Sequence, residues 1–313
     1  MYDANLIAAP RPYRDLRDLE QIQILLQAGR GAANGSYYVH SGDVSWWLFY
    51  TLPEDELWPY LYLWEAPGEA GLLGWSLVSP VFRAFDFYPR PDLRGSSQAA
   101  AMLDWTIGRA RDVIGERGGT RVETVWVAED DDLLIGWLDG RGFVRSAGGL
   151  AHFECSLAAS LAEPALPQGF RFETMHGEDQ AEARAAASYA AFGSRMLFER
   201  YCERYRRFMR SPVYRPQGDL MLLAEDGRCA GFCILWLDEA NRVGLFEPVG
   251  VHPDFQGRGL GKALMLEGLR RLQADGMRRA IVSTESDNAA AVGLYRSSGF
   301  DLEKRLLTFA CPL

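Results

Sequence analysis

From residue 170 onward, short apolar runs alternate with segments of helical period. Phe170 to Thr174 reads as a strand, Glu178 to Ala191 as an alanine-rich helix and Ser194 to Met209 as a second helix. Leu220 to Ala224 and Ala230 to Leu237 are apolar runs joined by Glu-Asp-Gly-Arg, a hairpin signal. A strand over Val243 to Val251 feeds a glycine-rich turn and a helix ending near Ala274. A strand over Ala280 to Thr284, a helix over Asn288 to Ser297 and a last strand near Leu306 to Ala310 follow. Helices interleaved with strands and one hairpin predict an α+β fold, a mixed and mostly antiparallel sheet flanked by helices.

The chain also repeats itself. Pro253 to Met265 aligns without a gap on Pro91 to Leu103, and Asp287 to Phe300 aligns on Asp130 to Phe143. The first pair is offset by 162 positions (253 against 91) and the second by 157 (287 against 130). The difference of five (162 less 157) is expected as a longer helix-to-strand connection in the first half, around Ile114 to Thr120. A small-residue stretch with two prolines, Ala158 to Gly169, reads as a linker. The expected organisation is a domain over 1–157, a linker over 158–168 and a second domain over 169–313.

Length and composition narrow the class. The 313 residues suffice for two cores, and 48% hydrophobic with 24% charged residues is ordinary for a globular chain. Neither a membrane-spanning run nor a leader-like start is evident, so a cytoplasmic protein is expected. Five scattered cysteines without a CxxC pair argue for reduced thiols, and four separated histidines argue against a metal centre. A net charge of −9 opposes binding to nucleic acid or an anionic membrane.

Gln256-Gly-Arg-Gly-Leu-Gly261 follows an expected strand and opens an expected helix. Glycines there let backbone N–H groups approach an anion closely, and a helix N-terminus adds the positive end of its dipole. A dinucleotide site would need GxGxxG after a first strand, a spacing this turn lacks. The runs Glu247 to Leu264 and Asn288 to Phe300 together resemble the acyl-CoA-binding core of the GNAT superfamily of N-acetyltransferases. Gln256-x-x-Gly259-x-Gly261 matches its (Gln/Arg)-x-x-Gly-x-(Gly/Ala) signature. The resemblance implies two tandem GNAT-like domains, acetyl-CoA as donor and a small-molecule or peptide amine as acceptor. A monomer or homodimer is expected.

Glu247 shares a strand face with Val249 and Val251 and is placed to take a proton from an amine. Pro248 and Gly250 predict a bulge or a parting of strands at that point. By resemblance, main chain near Val249 and Val251 holds the pantetheine arm. Gln256, Gly257, Arg258, Gly259, Leu260, Gly261 and Lys262 then hold the pyrophosphate. Asn288 bonds the pantetheine or the strand end, and Tyr295 protonates the leaving thiolate. The opposing reading is a non-catalytic acyl-CoA-binding or scaffolding protein.

The first half lacks this chemistry. Gly259 corresponds to Ser97, Gly261 to Ala99, Asn288 to Asp131, Tyr295 to Leu138 and Glu247 to Phe85, whereas Arg94 and Gly95 persist. A degenerate domain is expected there. It holds eight of the nine tryptophans, at 46, 47, 58, 64, 75, 105, 126 and 137. Trp46, Trp47, Phe49 and Tyr50 cannot all face one side of a helix, so some are expected in an acceptor pocket or an interdomain contact. Six arginines between Arg195 and Arg210 read as a solvated helix face or a contact for an anion or for the acidic first half.

Overall fold

The structure is a computed structural model describing residues 9–32, 38–52, 60–65, 68 and 71–313. Trp58 lies outside the described residues. The first half runs β1 (Arg11–Pro12), α1 (Leu16–Gly31), α2 (Ser41–Trp46), β2 (Leu61–Glu65), β3 (Leu72–Ser79) and β4 (Ala84–Pro89). It continues through α3 (Ser97–Glu116), β5 (Arg121–Ala128), α4 (Asp132–Asp139) and β6 (Val144–Ser156). The second half repeats the series as β7 (Phe170–Thr174), α5 (Ala181–Ala191), α6 (Phe198–Met209), β8 (Asp219–Ala224) and β9 (Cys229–Asp238). Then come β10 (Val243–Val251), α7 (Leu260–Ala274), β11 (Arg279–Glu285), α8 (Ala289–Ser297) and β12 (Asp301–Pro312). The duplication expected from two short alignments therefore holds element by element.

The offset of five has a different origin from the one expected. α3 has 20 residues and α7 has 15, while each is followed by four residues before its strand. The extra residues extend the helix, whose apolar period continues through Val113 and Ile114 into the core. The helix expected from Ser194 begins instead at Phe198, because the Ser194 hydroxyl accepts the Met196 N–H in a local turn that competes with helical bonding.

Among the described residues the strands form one sheet in the order β1-β2-β3-β4-β5-β12-β6-β11-β10-β9-β8-β7. Each half gives its last strand to the other. β12 lies between β5 and β6, and β6 lies between β12 and β11, all antiparallel. The order is symmetric about the β6–β12 pair. Residues 158–168 hold no helix or strand, yet the sheet runs past them unbroken, so 1–157 and 169–313 do not carry separate sheets.

The cores follow the exchange. Leu307, Phe309 and Cys311 of β12 pack in the first-half core with Val122 and Phe143, while Ala151, Phe153 and Cys155 of β6 pack in the second-half core. A third cluster joins Trp46 and Tyr50, from α2 and the π-helical turn Trp47–Thr51 that continues it, to Tyr201, Tyr205 and Phe208 of α6. The Trp46 and Tyr50 rings stack at 3.9 Å, with Phe208 edge-on to Trp46 at 5.0 Å. The Arg204 guanidinium lies 4.3 Å over the Tyr50 ring and donates to its hydroxyl. Arg210 pairs instead with Glu178 and Glu203 on its own side.

Phe309, 3% exposed, belongs by sequence to the second half and by packing to the first. Phe309→Ala should cost about 3–5 kcal/mol. Denaturant unfolding followed by tryptophan fluorescence, which reports chiefly on the first half, should show that loss although the substitution lies on the last strand.

Candidate active site

β10 and β11 run parallel but pair only from Val243–Arg279 to Leu245–Ile281. Beyond that they part. On its other side β10 slips register against β9 between Phe246 and Val249, where the Glu247–Pro248 peptide is cis. Proline removes a donor from the ladder there, as the sequence led us to expect. The Trp236 indole donates to the Glu247 carbonyl at 2.7 Å and satisfies it inside the bulge. β4 and β5 show the same parting, paired only at Ala84–Glu123.

The glycine turn closes one end of the gap. α7 starts from Gly259 at φ 79°, a left-handed conformation, with no side chain capping its first turn. Gly257 is also left-handed, and a Cβ at either position would meet nothing within 4 Å. First-turn N–H groups, the helix dipole and open space together form an anion cradle. The donor set fits a pyrophosphate. Gly261 is held for another reason: a Cβ there would come within 3.3 Å of Leu294 and 3.5 Å of Val251, so it sets the spacing of α7 against α8 and β10. Gln256 Nε2 donates to the Val251 carbonyl at 3.2 Å, and Arg258 donates to the Asp254 carbonyl at 3.2 Å. Asn288 caps α8 by accepting the Ala291 N–H.

The equivalent place in the first half is filled from within. Ser96 caps α3 through the Ala99 N–H, and the Arg94 guanidinium binds Asp131, which itself caps α4. Tyr38, Trp126 and Trp137 crowd what remains to a pocket of about 40 Å³.

Glu247 lies in a cleft of about 1030 Å³ between the halves, bordered by β5, β6, β10, β11 and the α2 segment. No described residue hydrogen-bonds or ion-pairs with its carboxylate. Burial, reinforced by the nearby Asp43 charge, pushes its pKa up to about 8. Tyr295 of α8 is 5% exposed, its ring edge-on to Phe153 at 5.7 Å. Burial first and the Glu247 charge second raise its phenol above the ordinary range, which keeps the proton available for donation. The base and acid expected from sequence thus lie within electrostatic reach of each other.

Sequence reading missed three groups in this cleft. Asp43 and Asp86, from the first half, are pushed by burial up to about 7. Ser283 of β11 lies 2.9 Å from the Nδ1 atom of His152, whose imidazole burial holds neutral with a pKa lowered to about 3. Asp43 reaches the cleft because α2 descends onto Trp236, an approach only glycine permits at position 42, where a Cβ would lie 2.4 Å from the indole. One sequence signal was available for Asp86, a carboxylate flanked by aromatics in the strand Ala-Phe-Asp-Phe-Tyr-Pro.

Comparison with known proteins agrees with this architecture. Residues 182–300 match the model of the Acetyltransferase (GNAT) family. A mycothiol acetyltransferase from Thermobispora bispora is 32% identical over 259 residues, covering 79% of this chain and 77% of that protein. The chain belongs to the GNAT family of acetyltransferases. Mycothiol acetyltransferases from Saccharomonospora viridis and Streptomyces coelicolor are each 36% identical, over 159 and 149 residues. The chain spans about half the length of those two relatives, with matches covering 52% and 45% of them. A tandem GNAT protein from the clavulanic acid biosynthesis pathway superposes with a TM-score of 0.67 at 17% identity, covering 97% of each chain. A GCN5-related N-acetyltransferase from Sphaerobacter thermophilus gives 0.66 at 19%, covering 97% of this chain and 95% of its own. These two show the tandem fold over 97% of the chain. The family implies an acyl-CoA donor.

A carboxyl at about 8 in the folded state and near 4.5 when unfolded releases its proton later on folding. Two effects follow. Acceptor turnover should rise with pH through about 8, and Glu247→Gln should remove that rise and lower kcat about 10²–10⁴-fold. The native state also loses stability as pH climbs from the unfolded pKa towards the folded one. Glu247→Gln should therefore melt higher than wild type at pH 9, with a smaller difference at pH 5, in paired thermal scans.

Proposed function

We propose that this protein transfers an acetyl group from acetyl-CoA to a primary amine by direct attack, in the cleft of its second half. The observation that carries this reading is the conjunction of an uncapped helix N-terminus, a parted strand pair and an unpaired carboxyl of raised pKa along one strand and turn. Bound acetyl-CoA would supply the activated acetyl thioester. The α7 N-terminus, with Gly257, Gly259, Leu260, Gly261 and Lys262, would hold its pyrophosphate, and Arg258 would add charge. Main chain at Val249 and Val251, left unpaired by β11, would hold the pantetheine arm, with the free amide nitrogen of Asn288 beside it. Gln256 fixes the strand-to-turn corner through Val251.

The chain's own residues then handle two protons. A primary amine arrives as an ammonium, and the Glu247 carboxylate takes its proton, directly or through water. A carboxyl near 8 is matched to that task, being ionised in mildly alkaline solution yet basic enough to accept. The Tyr295 hydroxyl, kept protonated by its surroundings, donates to the departing thiolate as the C–S bond breaks, and the proton shed by the newly acylated nitrogen restores it. The first half provides no second cradle, since the Ser96 hydroxyl takes the Ala99 N–H and Arg94 is held by Asp131 there, and it acts as a degenerate partner. The five buried free cysteines support a reducing, cytoplasmic location. Among the described residues no helix is long and apolar enough to cross a membrane.

Calorimetric titration with acetyl-CoA should give one site per chain, and Gly259→Trp, checked for folding by circular dichroism, should abolish it. Two sites would contradict a degenerate first half, and no binding would remove the acetyl-transfer reading. Tyr295→Phe should lower kcat about 10²-fold or more with the acetyl-CoA affinity retained.

A further inference from the structure

The cleft around Glu247 is charged in one sense. Asp43, Asp86, Glu123, Glu247, Glu285 and Asp287 line it, and Arg121, already paired with Glu123 at 2.6 Å, is the single guanidinium among the described lining residues. No ion pair reaches Asp43, Asp86, Glu247, Glu285 or Asp287 from any described residue. Arg30, whose field reaches Asp43, is itself 3.7 Å from Asp238.

Two of these carboxylates are deeply placed and half satisfied. Asp43, 5% exposed, takes the His40 N–H on Oδ2, and Asp86, 8% exposed, takes the Tyr38 hydroxyl on Oδ1. No described residue donates to the remaining oxygen of either, and both residues border the cleft. That second oxygen opens on the cleft, where a donor entering it can be accepted. The Asp43 charge acts on both Asp86 and Glu247, and all three border the same cleft.

A metal ion would need three such groups converging on one point, and among the described residues no cluster does so. Negative charge spread along a cleft of about 1030 Å³ suits positive charge spread along a molecule. The walls agree, because Trp47, Trp126 and the exposed Phe82 offer aromatic faces that attract ammonium groups and cover alkyl or sugar surface.

We propose that the acceptor carries at least two ammonium groups, one presented to Glu247 and another held by Asp43 and Asp86. The cleft thereby selects aliphatic polyamines or multiply aminated sugars over monoamines. This inference rests on the acetyl-transfer reading for its amine, but its recognition step can be measured without the donor.

The test is calorimetry of spermidine, kanamycin, n-butylamine and glucosamine against the full chain at pH 8, alone and with CoA. At least one polycation should bind about tenfold or more tightly than its monoamine counterpart, with affinity falling as salt rises. Spermidine leading identifies an aliphatic polyamine; kanamycin leading identifies an aminated sugar. Asp86→Asn, which still lets Tyr38 donate, should shrink the polycation-to-monoamine ratio about tenfold, and Asp43→Asn provides the same readout should the first variant not fold. Equal binding of polycations and monoamines, or a ratio unmoved by both substitutions, would overturn the proposal. Failure of acetyl-CoA to bind while spermidine or kanamycin still binds would instead remove the acetyl-transfer reading and leave the polycation site standing.

Discussion

The antiparallel pairing of β6 with β12 is the contact on which the molecule depends. Each is the last strand of its half, and each is sandwiched between its counterpart and a strand of the other half. Without that pair neither half could complete its sheet, and the exposed edges of β5 and β11 would offer unpaired N–H and C=O groups. The exchange also brings residues of both halves to one cleft, whose floor includes Gly149 and Leu150 of β6 and Thr308 of β12.

Duplication preserved the fold more strictly than the chemistry. The parting of parallel strands occurs in both halves, at Leu245–Ile281 and at Ala84–Glu123. What differs is how each helix N-terminus satisfies its donors. α7 begins at a left-handed glycine and leaves them for a ligand, whereas α3 begins at Ser96, whose hydroxyl takes one, and the neighbouring Arg94 is claimed by Asp131. A few side-chain changes, Ser96 standing opposite Arg258 and Asp131 opposite Asn288, thus close an anion cradle without disturbing the helix, because a cap stabilises the helix as well as an anion would.

Much of this was legible in the sequence because it is local. The glycine turn, the Glu-Asp-Gly-Arg hairpin and the Pro248 break depend on residues adjacent in the chain, and each stands where its pattern placed it. The strand exchange was not legible, since the apolar pattern of β12 requires a partner but does not say which copy of the repeat supplies it. The five residues assigned to a connection entered α3 for a related reason: a helix can lengthen while its buried face stays continuous. Asp43 stayed hidden because its placement depends on α2 of one half descending on Trp236 of the other. Trp46, Trp47 and Tyr50 were suspect as a group from their adjacency alone. The π-helical turn explains how they divide, with Trp46 and Tyr50 facing α6 and Trp47 facing the cleft beside Trp126.

The division of labour between halves bears on why a degenerate first half is retained. Were it only a support for the sheet, apolar residues at Asp43 and Asp86 would be more favourable, because each buried carboxyl costs desolvation, opposed among the described cations only by the Arg30 charge acting on Asp43. Their ionisation is pushed up to about 7 by that burial, and the Asp43 charge adds to the strain on Glu247. Destabilising charge gathered along a cleft, beside an otherwise apolar first-half core, is the pattern of a binding surface rather than of a scaffold. On the proposed reading the second half would hold the donor and the reacting groups, and the first half, its own helix N-terminus capped, would contribute Asp43, whose charge acts on Glu247. Opening the Ser96 and Arg94 turn would not by itself recreate the second half's arrangement, since Phe85 stands where Glu247 does there.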